Sequence, residues 1–112
     1  MHKLVILIEP LPNLEEFHAL WPEFLRHAES MPGLVKEAAS QVEKSLFGER
    51  IYTYMHELYF NSLSDLQRAL SSPAGQAAGH TLHRITRDHL VLFIAETKEE
   101  DAENLVRYRQ AG

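Results

Sequence analysis

The residues from Ile51 to Phe60 alternate in a pattern that predicts a strand with two water-avoiding faces. Successive side chains of a strand point to opposite sides, so one face holds Tyr52, Tyr54, His56, Leu58 and Phe60. The other face holds Ile51, Thr53, Met55, Glu57 and Tyr59. Because one layer of helices covers only one face of a sheet, we expect the second face to meet a ligand, another subunit, or both.

The first half of the chain predicts two further strands around one helix. Leu4 to Ile8 is a short apolar run that ends at Glu9-Pro10, as a central strand would. Asn13 and Glu16 predict an approximate capping box for a helix whose apolar stripe is Leu14, Phe17, Trp21, Phe24, Leu25 and Ala28. Pro22 is expected to kink this helix or to start a new turn. Leu34 to Val42 follows Met31-Pro32-Gly33, and its polar alternation suits an edge strand.

The second half predicts a helix that is interrupted once and then a last strand. Ser62 is placed to cap this helix, with Asp65 three residues later. Ser71-Ser72-Pro73 interrupts it, and Pro73 suits the first turn of a renewed helix. Leu90 to Ala95 is the last apolar strand.

The element order β-α-β-β-α-β predicts an α+β, ferredoxin-like domain. This fold has four antiparallel strands with the helices on one face. We assign the domain to residues 1–95 and expect residues 96–112 to form a charged, helical tail that packs on the domain or on a partner subunit. The apolar second face predicts a homodimer that buries two sheets against each other.

Composition narrows the possible functions. A chain of 112 residues fits one domain, and a net charge of -5 argues against a nucleic-acid partner. The absence of cysteine excludes disulfides, thiolate metal sites and cysteine catalysis. The opening residues do not read as a signal peptide, and no apolar run reaches the roughly 18 residues of a membrane span. We therefore expect a cytoplasmic protein without a membrane partner.

Three stretches resemble the EthD-like family of the dimeric α+β barrel superfamily. They are the opening strand from His2 to Leu7, the first helix running into Met31-Pro32-Gly33-Leu34, and the stretch from Glu57 through Ser72-Pro73-Ala74-Gly75 to Ala78. The resemblance implies a dimer whose two sheets close into a barrel. It also implies a role in the oxidative degradation of small organic compounds.

One position departs from the family pattern. Many EthD-like proteins carry a histidine on the first helix, eight residues before the proline of the Pro-Gly pair. Phe24 stands at that position here, and the nearest histidine is His27, about one helical turn later. A shift of one turn keeps roughly the same helix face, so His27 remains a candidate for the family role.

Three residues are candidate proton acceptors. Glu57 is predicted to lie on the barrel-lining face, where it is either an acid, base or ligand anchor, or a structural group bonded across the interface. His56 is either a buried core residue or a general base near neutral pH. His27 is either catalytic or an exposed residue at a helix end. The candidate substrate-binding residues are Tyr59, Met55, Trp21 and Phe24, for each of which core or interface packing is the alternative.

No cofactor is predicted. The chain lacks a glycine-rich phosphate loop, HExxH and a nucleophile elbow. Haem with a histidine ligand is conceivable in this superfamily, but no motif in the sequence supports it. His80 and His83 are spaced to face one metal ion, with two solvated histidines as the alternative.

Two functions follow from these residues. One is a cofactor-independent oxidoreductase or isomerase acting on a small hydrophobic or aromatic compound. The other is a non-catalytic binding module, or an accessory protein of an oxygenase. A third reading is a dimer whose barrel is filled by its own side chains.

Overall fold

The computed structural model describes residues 1–99, which form four strands and three helices. The elements in chain order are β1 (His2–Ile8), α1 (Leu14–Glu29), β2 (Leu34–Gln41), β3 (Tyr54–Phe60), α2 (Leu63–Ser71), α3 (Pro73–Thr86) and β4 (Leu90–Glu96). The strands form one antiparallel sheet in the order β2-β3-β1-β4. The predicted ferredoxin-like arrangement is confirmed, whereas most of the predicted 96–112 tail lies outside the described residues.

The helices pack on one face of the sheet and enclose the hydrophobic core. The sheet contributes the fully buried side chains of Ile6, Ile8, Leu58 and Phe60. The helices contribute Phe17, Phe24, Leu66, Leu82 and Ile85. Removing these apolar surfaces from water supplies the main driving force for folding. No helix within residues 1–99 is both long and apolar enough to span a membrane.

Two predicted helix caps are confirmed and a third is wrong. Ser62 accepts a hydrogen bond from the Asp65 backbone N–H at 3.1 Å, and Ser72 accepts one from Gly75 at 3.1 Å, as capping predicts. The capping box at Asn13 is wrong, because the Asn13 side chain makes no cap bond. Its Nδ2 instead donates to the Ile85 carbonyl at 2.8 Å and ties the start of α1 to α3.

The structure sets the bounds of the third strand and of the first helix. The third strand begins at Tyr54 and not at Ile51, although the backbone N–H of Thr53 also donates to the Ile8 carbonyl at 2.7 Å. The first helix runs from Leu14 to Glu29 as one element, with Pro22 inside it.

The two faces of β3 differ as the alternation predicts. In the antiparallel pairing His56 lies opposite Ile6 and Ala39, on the face that the helices cover. Glu57 lies opposite Val5 and Ala38, on the uncovered face. Neighbours on one strand therefore belong to two separate environments.

The sheet has two unlike edges. The outer strands are β2 and β4. The polar strand β2 is an edge strand, as its alternation predicted. The other edge, β4, reads Leu-Val-Leu-Phe-Ile-Ala-Glu and leaves Leu92, Phe93 and Ile94 exposed.

Candidate functional site

A pocket of about 340 Å³ lies between α1 and the strands β2 and β3, on the helix-covered face. We call it the His56 pocket. Its lining combines rings with polar groups: Phe17, His18, Trp21, Ala39, Ser40, Gln41, Tyr54, Met55 and His56. This mixture of apolar walls and a few polar groups is typical of small-molecule sites.

His56 is the most unusual polar residue of this pocket. Its side chain is almost fully buried, with 3% of the residue exposed. Its Nε2 lies 3.1 Å from Oε2 of Glu37, while its Nδ1 is buried and has no hydrogen-bond partner among the described residues. Buried polar atoms without partners are rare in native proteins, and each calls for an explanation.

The contact with Glu37 determines the tautomer of His56. An ionised carboxylate only accepts hydrogen bonds, so Nε2 carries the proton and donates it to Glu37. The lone pair of a neutral imidazole then lies on Nδ1. A carboxylate that fixes the imidazole in this way is the arrangement that prepares a histidine to act as a base.

The surroundings of His56 favour its neutral form. Burial lowers the pKa of His56 below its ordinary value, and the negative charges of Glu29 and Glu57 oppose this effect without cancelling it. A neutral imidazole near neutral pH is the form that accepts a proton.

Glu37 has a second acidic neighbour, Glu29 at the end of α1. A hydrogen bond with Glu37 and the charge of Glu37 raise the pKa of Glu29. Glu29 therefore takes up a proton more readily than an ordinary glutamate, which lowers the repulsion between the two carboxyl groups.

Aromatic rings build the wall around the imidazole. The Trp21 ring stands edge-on to His56 with centroids 5.4 Å apart, and Phe17 stacks on Tyr54 at 5.7 Å. Phe24 packs behind Trp21 at 4.7 Å and is fully buried in the core. Such rings bind flat apolar molecules by stacking and edge contacts.

The predicted site residues divide into two groups. The structure brings His56, Trp21 and Phe24 together, and Met55 contributes to the pocket rim. Glu57 and Tyr59 lie on the opposite face of the sheet. His27 is not among the residues that line the His56 pocket; its Nε2 is 4.0 Å from Glu23 on the same helix.

The Glu57 carboxylate has polar partners on the uncovered face of the sheet. Its carboxylate accepts a hydrogen bond from Lys3 Nζ at 3.2 Å and another from the Tyr59 hydroxyl at 2.9 Å. Burial lowers the pKa of Lys3, but the hydrogen bond and charge of Glu57, with a contribution from Tyr59, outweigh burial and raise it overall. Lys36 lies 4.4 Å from the Tyr59 ring centroid, a cation–π contact. The carboxylate is therefore part of an ion pair within one chain.

The other histidines do not form a metal site in residues 1–99. No group of three or more histidine, aspartate or glutamate side chains there is placed to hold a metal ion. Instead, His83 Nδ1 lies 2.6 Å from Asp88 Oδ1 on the exposed end of α3, and His80 is exposed.

Sequence reasoning missed the partner of His56. In the sequence, Glu37 is only one of several polar residues in the alternation of β2. Alternation assigns Glu37 to a face within its own strand, but the register that sets Glu37 opposite Leu58, and thus next to His56, is a property of the pairing. Phe17 and Tyr54 were recognised as apolar positions and not as pocket walls.

The comparisons with known proteins agree on the fold. An EthD family protein from Bacillus halodurans is 25% identical over 88% of this chain and 99% of its own, with a TM-score of 0.79. A dimeric ferredoxin-like protein of unknown function from Jannaschia is 19% identical over 86% of this chain and 98% of its own, with a TM-score of 0.66.

A third solved structure belongs to an enzyme. SnoaB, a cofactor-independent oxygenase from Streptomyces nogalater, is 14% identical over 90% of this chain and 93% of its own, with a TM-score of 0.58. At this identity the likeness concerns the fold alone. No protein-family model matches the chain, and no curated protein matches it. The chain has a ferredoxin-like fold and is similar to an EthD family protein.

Proposed function

We propose that this protein binds a small aromatic compound in the His56 pocket and removes a proton from it without a cofactor. The observation that carries the proposal is the buried imidazole of His56, held through Nε2 by Glu37 and left with an unpartnered, basic Nδ1. A structural histidine of the core would be expected to use both nitrogens.

The reaction begins with a proton transfer from an acidic C–H bond of the ligand to Nδ1. The imidazolium that forms is stabilised by the carboxylate of Glu37, 3.1 Å from Nε2. The ligand keeps the electron pair as a resonance-stabilised anion. Return of the proton to another carbon completes an isomerisation. In the other branch, the anion forms a C–O bond with O₂, and the resulting peroxide anion takes the proton back from the imidazolium to give a hydroperoxide. Both branches share the same first step.

Ligand access requires a movement at the pocket wall. Nδ1 is buried, so no ligand atom reaches it while the surrounding rings keep their present positions. Trp21 lines the pocket and stands edge-on to the imidazole. We propose that displacement of this ring admits the ligand to Nδ1.

We also propose that two copies pair through the uncovered sheet face. Leu7, Met55 and Ala95 are half-buried on this face and Phe93 is exposed, and the similar Jannaschia protein is dimeric. In such a dimer the ion pair of Lys3 and Glu57 lies inside the barrel. A mass of twice the chain in native mass spectrometry would support this assembly, and a monomer at micromolar concentration would contradict it.

The proton-transfer proposal is tested by hydrogen–deuterium exchange on carbon. A panel of small aryl ketones and 1,3-dicarbonyl compounds is incubated with the protein in D₂O, and loss of the α-C–H signal is followed by proton NMR. We expect the wild-type protein to accelerate exchange of at least one aromatic member of the panel. The His56→Gln variant, which keeps a polar side chain of similar size, should lose this acceleration.

The matched control is Glu57→Gln, on the adjacent residue of the same strand but on the opposite face. Exchange that survives His56→Gln and is lost in Glu57→Gln would overturn the assignment. Binding of a panel compound without exchange would instead identify a non-catalytic binding module, the alternative function of this pocket.

A further inference from the structure

A second cavity lies at the other end of the helix-covered face, between α3 and the edge strand β4. Its volume is about 430 Å³, within the range of small-molecule sites. The walls are Leu4, Ile6, Phe24, Met31, Leu58, Leu70, Gly75, Ala78, Gly79, Leu82, Leu92, Phe93 and Ile94. We call it the β4 cavity. None of these residues lines the His56 pocket.

The β4 cavity contains no polar side chain. It therefore offers no side-chain donor or acceptor to a ligand, and a charged or hydrogen-bonding group placed there would lose its water without a side-chain partner in return. The cavity opens along β4, where Leu92, Phe93 and Ile94 are exposed, and an apolar ligand would remove this surface from water. The chemistry of the walls thus selects an uncharged, wholly apolar ligand.

Two glycines of α3 line the β4 cavity, and helix packing explains only one of them. A Cβ atom at Gly75 would collide with the Ala69 carbonyl oxygen, so close packing of α2 and α3 requires a glycine there. A Cβ atom at Gly79 would meet no atom within 4 Å. Packing therefore does not require Gly79.

Gly79 nevertheless has a cost for the helix. It lies inside α3, which runs from Pro73 to Thr86, and glycine destabilises a helix interior relative to alanine because of its greater backbone freedom. A glycine that packing does not require keeps the adjacent space open.

We propose that the β4 cavity is a second ligand site, selective for small uncharged hydrocarbons, with Gly79 as its specificity-determining residue. The site is independent of proton transfer at His56. Phe24 lines the cavity, and its ring centroid is 6.0 Å from that of His56. The Phe24 ring therefore lies next to the imidazole of His56 without lining the His56 pocket.

Toluene is the probe for this site, and benzoate is its charged counterpart of similar size. Binding to the full-length protein is followed by ¹³C-methyl NMR of Leu82, Leu92 and Ile94. We expect toluene to shift these methyl signals in a saturable way, and benzoate to leave them unchanged.

Gly79→Leu should fill the cavity and weaken toluene binding by at least about tenfold, an effect typical of steric exclusion from an apolar pocket. Gln76→Leu is the matched control, since it places the same side chain on an exposed position of α3 outside the cavity; its toluene affinity should stay close to that of wild type. If Gly79→Leu does not fold, Ile94→Trp at the exposed edge fills the cavity from the opposite wall.

Three outcomes would overturn the proposal. They are an absence of saturable toluene shifts in the wild-type protein, equal binding of benzoate, and undiminished toluene binding in both filling variants. Because exchange at His56 is measured separately, failure of this site and failure of the proton-transfer site are distinguishable.

Discussion

His56 and Glu57 are neighbours on one strand, yet the sheet separates them into opposite environments. The imidazole lies under the helices with one nitrogen fixed by Glu37 and the other unpartnered. The carboxylate lies on the uncovered face, where Lys3 and Tyr59 both donate to it. The basic Nδ1 of His56 is left without a partner, whereas the charge of the Glu57 carboxylate is balanced. The hydrogen-bond partners of a group, and not its residue type, therefore distinguish a reactive group from a structural one.

The largest expected effect comes from removing the base itself. In His56→Gln the acceleration of carbon–hydrogen exchange should fall by about 10²- to 10⁴-fold, the usual contribution of a positioned base. Proton NMR in D₂O measures this loss, and circular dichroism checks that the variant is folded. An unchanged rate would remove His56 from the mechanism.

The next effect tests the tautomer of His56. In Glu37→Gln the amide can donate to Nε2 and shift the imidazole proton to Nδ1, which removes the basic lone pair from that atom. We expect exchange to slow by about tenfold or more, as when the orienting carboxylate of a catalytic histidine is replaced. Nitrogen-15 NMR of the imidazole reports which nitrogen is protonated. An Nδ1 that is already protonated in the wild-type protein would contradict the assignment.

The ion pair on the uncovered face should matter for stability and not for exchange. Lys3→Met leaves the Glu57 carboxylate, whose side chain is 14% exposed, without its cation. The free energy of unfolding should fall by about 1–3 kcal/mol, measured by urea denaturation at a fixed protein concentration. Lys36→Met removes only a contact with the Tyr59 ring and should cost less than about 1 kcal/mol. Equal losses of unfolding free energy in the two variants would show that the ion pair with Glu57 does not stabilise the fold more than the cation–π contact does.

A smaller effect is expected in how the free energy of unfolding depends on pH. Because burial lowers the pKa of His56 in the folded protein, the unfolded chain binds the additional proton first as the pH falls below the ordinary histidine value. The contribution of His56 is therefore present above about pH 6.5 and declines below it, by at most about 1.4 kcal/mol per pH unit. His56→Gln should flatten this decline in pH-dependent urea denaturation. A decline of the same slope in His56→Gln would assign it to other groups.

The smallest expected effect belongs to Glu57→Gln. The amide oxygen replaces one carboxylate oxygen and can keep one of the two hydrogen bonds from Lys3 and Tyr59, while the negative charge is lost. Because this change lies on the opposite face from His56, exchange should remain within about twofold of wild type. A pronounced loss of exchange would move the base to the other face of the sheet.

The fold was predictable because its signals are local. Short apolar runs, the serine caps at Ser62 and Ser72, and Pro73 at a helix start each act over a few residues. The assignment of His56 and Glu57 to opposite faces follows from the two-residue repeat of a strand, which requires no knowledge of its neighbours.

The site was only partly predictable because it depends on contacts between distant segments. Glu37 and His56 meet through strand register, which the sequence does not specify by itself. Asn13 shows the same limit: its side chain bonds to Ile85, 72 positions later, and not to the helix that it precedes. Lys3 neutralises Glu57 across 54 positions in the same way.

The edge strand β4 has a consequence for the behaviour of this protein in concentrated solution. The segment Leu90–Ala95 consists of six apolar residues without charge or proline, and within residues 1–99 it pairs only with β1. Segments of this composition are prone to add strands from other chains and to grow into cross-β aggregates when their edge is free. The other edge, β2, carries Lys36 and Glu37, charges that discourage such growth. Aggregation of this protein should therefore start at one side of the sheet, and a lysine in place of the exposed Ile94 would act as a gatekeeper against it.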